Sequence, residues 1–148
     1  MDLDRSLFRF ETSVRVRNYE VDWQGIVHNA TYLFYCETGR IAYLEAMGVQ
    51  INLEAIRKES LIVVARNEID YLSPARYGET LKILTRISEI RNSSFIFEGI
   101  IESGGDGRRI AENRSFHVWL DEETGKPARV GAWFREKVRS HERGETPE

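Results

Sequence analysis

Arg17-Asn18-Tyr19-Glu20-Val21-Asp22-Trp23-Gln24-Gly25-Ile26-Val27-His28-Asn29-Ala30-Thr31-Tyr32 runs without a break into an apolar stretch that ends at Met47-Gly48. A strand ends near Arg17, a polar loop carries a carboxylate at Asp22, and Gly25 permits a turn. From Asn29 to Met47 there is no proline, the length suits about five helical turns, and Gly48 supplies a C-cap. An acid therefore faces the start of a helix. The first backbone N–H groups of a helix have no internal partners and carry part of the positive end of its dipole, so they bind an anion or a developing oxyanion. A carboxylate beside such donors suits attack on a carbonyl.

Only Glu37, Arg40 and Glu45 are charged in the helix, and at 100° per residue apolar side chains fall on nearly every side. This predicts a helix enclosed by other structure. Thr38, Gly39, Ala42 and Ala46 make one face small enough for a close partner, which suits a sheet wrapped around it. On the near side, Phe8 to Val16 alternates, with Phe8, Phe10, Val14 and Val16 opposite Arg9, Glu11, Ser13 and Arg15, as a half-buried strand does.

On the far side, Asn52 to Glu59 reads as a short second helix with Asn52 as its N-cap. Leu61 to Tyr71 is a long strand, and Ser73-Pro74-Ala75-Arg76-Tyr77-Gly78 breaks it. Leu81 to Ile90 and Ser94 to Glu102 follow as strands, joined through Arg91-Asn92-Ser93. Ser103 to Gly107 turns a glycine-rich hairpin into a last strand, Arg109 to Asp121. There Ile110, Phe116, Val118 and Leu120 share one face, with His117 and Trp119 on the other. That second face is not fully polar, which points to a homo-oligomer. Val130 to Ser140 is a terminal helix carrying Trp133 and Phe134, and residues 141–148 form a polar, disordered tail.

The chain has 148 residues, one domain's worth, with 41% apolar and 30% charged residues and a net charge of −3. That balance gives no broad basic footprint for nucleic acid. Cys36 is the single cysteine, so no internal disulfide forms, and no Cys/His spacing suggests a metal. No cofactor is implied. Acids stand where a signal peptide needs bases, and no apolar run approaches a membrane span, so the expected location is the cytoplasm.

Val14-Arg15-Val16-Arg17, then Asp22 with Gly25-Ile26-Val27, then Tyr32 and Glu37, and later Tyr71-Leu72-Ser73-Pro74-Ala75-Arg76-Tyr77-Gly78-Glu79, match a known pattern in order and spacing. On these residues the chain resembles the hotdog-fold acyl-CoA thioesterases, in particular the 4-hydroxybenzoyl-CoA thioesterase family with its YbgC-like members. The resemblance covers almost the whole chain. It implies an α+β hotdog fold, a five-stranded antiparallel sheet around one long helix. It also implies a homodimer, or a homotetramer built from it, with active sites between protomers and an acyl-CoA as substrate. Asp22 is then the catalytic carboxylate, as nucleophile or as the base that activates water, and the backbone N–H of Asn29 polarises the thioester carbonyl. Gly25, Ile26, Val27 and Tyr32 become substrate-binding residues.

Many YbgC-like members read Tyr-His-Ala-Asn-Tyr at the helix start, whereas this chain reads His28-Asn29-Ala30-Thr31-Tyr32. The histidine is one place early. His28 is a candidate base or a cap, and Asn29 takes the helix-start position, as in acyl-carrier-protein thioesterases with His-Val-Asn-Asn. An acyl-carrier-protein thioesterase and a non-catalytic acyl-CoA sensor are thus the alternatives. Glu37 is expected to pair with Arg40, four-fifths of a turn on, and Cys36 to be core filler. Arg76, Arg91, Arg108 and Arg109 sit in turns where arginine suits nucleotide phosphates, and Arg91 is the candidate taken forward.

Overall fold

The structure is a computed structural model that describes residues 1–50 and 61–145. The helix expected at Asn52 to Glu59 lies outside the described residues. Five strands form one antiparallel sheet: β1 (Phe10–Arg15), β2 (Leu61–Tyr71), β3 (Thr80–Ile90), β4 (Ser94–Ser103) and β5 (Arg109–Leu120). Their order across the sheet is β1-β3-β4-β5-β2, so β1 and β2 are the edges. The central helix α1 (Thr31–Ala46) packs on one face, and α2 (Ala132–Arg143) closes one end. This is the α+β hotdog arrangement expected of the sequence.

Gly39 sets the closeness of helix and sheet. A Cβ there would stand 2.6 Å from Thr85 Oγ1 and 2.7 Å from Ile83 Cγ2, so only glycine lets α1 lie flat on β3. Tyr32, Tyr35, Cys36, Arg40 and Tyr43 turn inward with it. The opposite side of α1 is not enclosed, in contrast to the expectation from its apolar composition. Phe34 is 65% exposed and Ile41 39%, and they alternate with exposed Glu37, Thr38 and Glu45 along one stripe. A five-stranded sheet from one chain covers only one side of a helix, and the rest of the apolar surface is left over.

The last strand corrects a second expectation. His117 and Trp119 point into the core, against Phe95, Phe97 and Phe134, and it is Phe116, Val118 and Leu120 that lie half-buried on the outer face. The register between β4 and β5 shifts between Ile101 and Glu102, where Ala111 and Arg109 are the partners. One extra residue flips every side chain beyond it, which is why Ile110 is buried and yet does not share a face with Phe116.

The ends of the chain are both structural. Leu3 and Phe8 cover Leu84 and Ile100 on the outer face, and Arg5 Nε donates to Glu102 at 3.0 Å. The disordered tail expected from residue 141 does not begin there, because α2 continues to Arg143 and ends at Gly144 with φ +79°, and residues 146–148 lie outside the described residues. Glu142 accepts from Tyr43 Oη at 2.5 Å and from the Ile87 N–H at 3.1 Å. His141 packs edge-on to Tyr43 at 4.6 Å. Polar residues by composition, they are held by polar atoms the core presents at its end.

Candidate active site

Asp22 sits in a closed loop. Val21 bridges Val27, the Asp22 N–H donates to Ile26 O at 2.8 Å, and the Gly25 N–H donates back to Asp22 O at 3.0 Å. Gly25 completes the turn with φ +77°, a region that favours glycine. Oδ1 of Asp22 accepts the Gln24 N–H at 2.7 Å, an Asx turn that fixes the carboxylate plane. Oδ2 accepts from no protein donor among the described residues.

The loop is fastened to the body at three points. The Val27 N–H donates to Ala75 O, and the His28 N–H to Glu20 O, both at 2.9 Å. Glu20 in turn accepts Tyr35 Oη and the Arg17 N–H, each at 2.7 Å. Burial first, and Glu20 second, push the Tyr35 phenol far above its ordinary value, so it stays a donor. Tyr32 Oη accepts the Ala75 N–H at 3.1 Å, and Tyr71 Oη donates to Asn29 O at 3.1 Å. The Tyr-x-x-Pro-Ala element is thereby clamped over the helix start.

α1 begins at Thr31, two residues later than the sequence suggests. His28 Nδ1 accepts the Ala30 N–H at 3.1 Å, which places the imidazole proton on Nε2, and His28 O accepts the Thr31 N–H at 2.9 Å. His28 thus braces the turn that leads into α1, whose N-cap is Ala30. The Asn29 N–H donates to no acceptor among the described residues, and its carbonyl is held from behind by Tyr71.

A cleft of about 400 Å³ is lined by Asp22, Gln24, Ile26, Val27, Asn29 and Tyr32 on one side, and by Tyr71, Leu72, Ser73 and Pro74 on the other. Five of the candidate residues, Asp22, Ile26, Val27, Asn29 and Tyr32, meet there. Gly25 forms the adjoining turn, and His28 flanks the cleft without lining it. Arg91 is not brought to it within one chain: it lies at the end of β3 away from Thr80, paired to Glu89 at 2.7 Å. Tyr71 and Leu72, read from the sequence as the end of a strand and part of the family pattern but not as site residues, are both half exposed and wall the cleft.

Next to this cleft, across Pro74, a shallow hollow is lined by Arg76, Tyr77, Glu79 and Arg108. Arg108 is engaged by Glu79 at 2.8 Å and Asp106 at 3.0 Å. The Arg76 guanidinium makes no ion pair among the described residues. The pair expected between Glu37 and Arg40 is not formed either, because Arg40 turns under the sheet while Glu37 remains in solvent. Among the described residues no group of three or more His, Cys, Asp or Glu side chains is placed to hold a metal ion.

A five-stranded antiparallel sheet packed on one central helix, with a cleft at that helix's start, is the hotdog architecture. The chain belongs to the thioesterase-like superfamily, whose model matches residues 16–138. It is 32% identical over 127 residues to the acyl-acyl carrier protein thioesterase ATL3 of Arabidopsis thaliana, covering 86% of this chain and 66% of that one. This chain thus spans about two thirds of the plant protein's length. It is 27% identical to the long-chain acyl-CoA thioesterase FadM of Escherichia coli, covering 86% and 96% of the two chains. A thioesterase from Thermus thermophilus, solved with coenzyme A and zinc, is 31% identical with a TM-score of 0.78 over 91% of this chain and 95% of that one.

Proposed function

We propose that this thioesterase hydrolyses acyl-coenzyme A to a free acid and the thiol, with Asp22 as the catalytic carboxylate. One observation carries the reading. Asp22 and Asn29 line the same cleft, and the Asn29 N–H has no acceptor among the described residues, so it is available to a thioester carbonyl whose carbon Asp22, or a water held by it, would attack. As the carbonyl carbon becomes tetrahedral, charge builds on its oxygen, and the Asn29 N–H at the positive end of α1 stabilises it. The C–S bond then breaks. A thiolate leaves readily near neutral pH, since the parent thiol has a pKa near 8.5, so no separate general acid is required. If Asp22 itself attacks, the mixed anhydride is opened by water; if it acts as base, water attacks directly and passes its proton to the carboxylate.

Arg76, two residues past Pro74 and in no ion pair among the described residues, is a cation beside the cleft for the nucleotide phosphates, and the coenzyme A bound by the Thermus relative supports this class of substrate. Two copies joined along the open edge β2 would cover the exposed Phe34 and Ile41 stripe. A second reading has its own support: the plant relatives, 32% and 33% identical, are acyl-carrier-protein thioesterases. Thiol release from matched acyl-CoA and acyl-carrier-protein thioesters separates the two. The proposal expects the acyl-CoA to have the higher kcat/KM; preference for the carrier protein contradicts it.

A further inference from the structure

A second cavity lies farther along the α1–β2 groove. It measures about 260 Å³ and is lined by Glu37, Arg40, Leu44, Val64, Phe97 and His117, among others. The walls are mostly apolar, with Glu37, Gln50, Arg40 and His117 the polar residues among them. Arg40 is only 8% exposed, and its Nη1 is buried with no hydrogen-bond partner. Guanidinium groups stay charged, and a buried charge without a counter-ion is costly, so one that lines an open cavity is a binding element awaiting its acceptor.

The neighbours among the described residues do not supply that acceptor. Glu37, on the same helix, also lines the cavity, but it lies on the exposed side and forms no ion pair with Arg40. Ser115 Oγ occupies His117 Nε2 at 2.8 Å, and burial, with Arg40 second, holds His117 down to about 3, so it is neutral at physiological pH. Among the described residues the cavity therefore offers mostly apolar walls, a guanidinium outside any ion pair, and a carboxylate on its exposed side.

The two cavities share α1 and β2. Tyr32 and Tyr71 line the first, and Arg40, Ile62 and Val64 the second. Arg40 is nine residues beyond Thr31, about 14 Å along the helix by its rise per residue, a span that fits an acyl chain on the order of ten carbons. We propose that Arg40 is a specificity-determining residue that receives the far end of the acyl group, selecting acyl chains that end in a carboxylate over plain alkyl chains. This rests on the thioesterase reading of the Asp22 cleft, and supplies it with a substrate class. The apolar stem packs between Leu44, Val64 and Phe97, while the distal carboxylate takes the paired N–H donors of the guanidinium.

The test compares decanoyl-CoA with the mono-CoA thioester of decanedioic acid, using the full chain. The parent is expected to favour the carboxylate-ended substrate by about tenfold or more in kcat/KM, and Arg40→Met to reduce that ratio about tenfold, chiefly through KM. A parent ratio at or below about one, or a ratio unchanged in Arg40→Met, overturns the proposal. So does an equal loss on both substrates with a lower mass by light scattering, which would mean that a second copy's acid fills the cavity. Calorimetric binding of free decanoate against the uncharged decanamide, to the parent and to Arg40→Met, needs no turnover. Tighter binding of decanoate by about tenfold in the parent, lost in Arg40→Met, supports the Arg40 site even if every thioester is left intact, the result that would sink the hydrolysis reading instead. Equal binding of acid and amide by the parent, or a preference unchanged in Arg40→Met, overturns the Arg40 site whatever the turnover.

Discussion

In Asp22 one carboxylate oxygen closes the turn by accepting the Gln24 N–H, and the other accepts from no donor among the described residues. The chain order Asp22, Gly25, Asn29 made the turn and the approach to the helix legible, because each has a residue signature, while the role proposed for the acid came from the family pattern. The role of His28 was not fixed by sequence, since a base and a cap draw on the same residue types. Its Nδ1 accepts the Ala30 N–H in the turn before the helix, while the N-cap itself is Ala30. Gly39 is the residue on which packing turns. Gly39→Ala would drive a methyl into Thr85 and Ile83, so it is expected to destabilise the fold by about 1–3 kcal/mol, seen as a lower urea midpoint with an unchanged m-value. A midpoint equal to the parent's would mean that α1 does not need this close approach.

The elements were legible where their periodicity is regular. The bounds of β2 follow directly from the sequence, from the apolar run that starts at Leu61 to the break after Tyr71. β5 was not, because the bulge between its start and Ser115 has no distinguishing residue, and alternation counted through it assigns the faces backwards. The consequence is chemical, since it buries His117. With its pKa lowered to about 3, His117 is neutral in the folded protein while an unfolded chain protonates it near 6.5. Between those values the unfolded state binds more protons, so this group's contribution is full above about pH 6.5 and is lost as pH falls, by up to about 1.4 kcal/mol per pH unit. Urea midpoints at pH 7.5 and 5.5 should differ more for the parent than for His117→Gln, which can keep the contact to Ser115. An equal pH dependence in the two would place His117 in water. α2 outran its expected end for a similar reason: Tyr43 and the Ile87 N–H, remote in sequence, are what hold Glu142.

At the scale of the molecule, one chain does not cover its own central helix. The N-terminal segment seals the outer face through Leu3 and Phe8, yet Phe34 and Ile41 stay exposed beside the open edge β2. Composition foretold an enclosed helix, and the physics behind that expectation holds if a second copy completes the enclosure. Light scattering of the parent at micromolar concentration is expected to give at least a dimer, and Phe34→Glu a smaller species. A monomeric parent would contradict this arrangement.

The whole account turns on the Asp22 carboxylate, and thiol release from an acyl-CoA panel by the parent and by Asp22→Asn tests it most directly. Asparagine keeps an oxygen for the Gln24 N–H, so the loop and the fold should persist with an unchanged thermal midpoint. The expected result is an active parent and a loss on the order of a hundredfold or more in kcat for the variant. Comparable turnover by the two proteins, with the variant folded, would contradict the catalytic role given to Asp22.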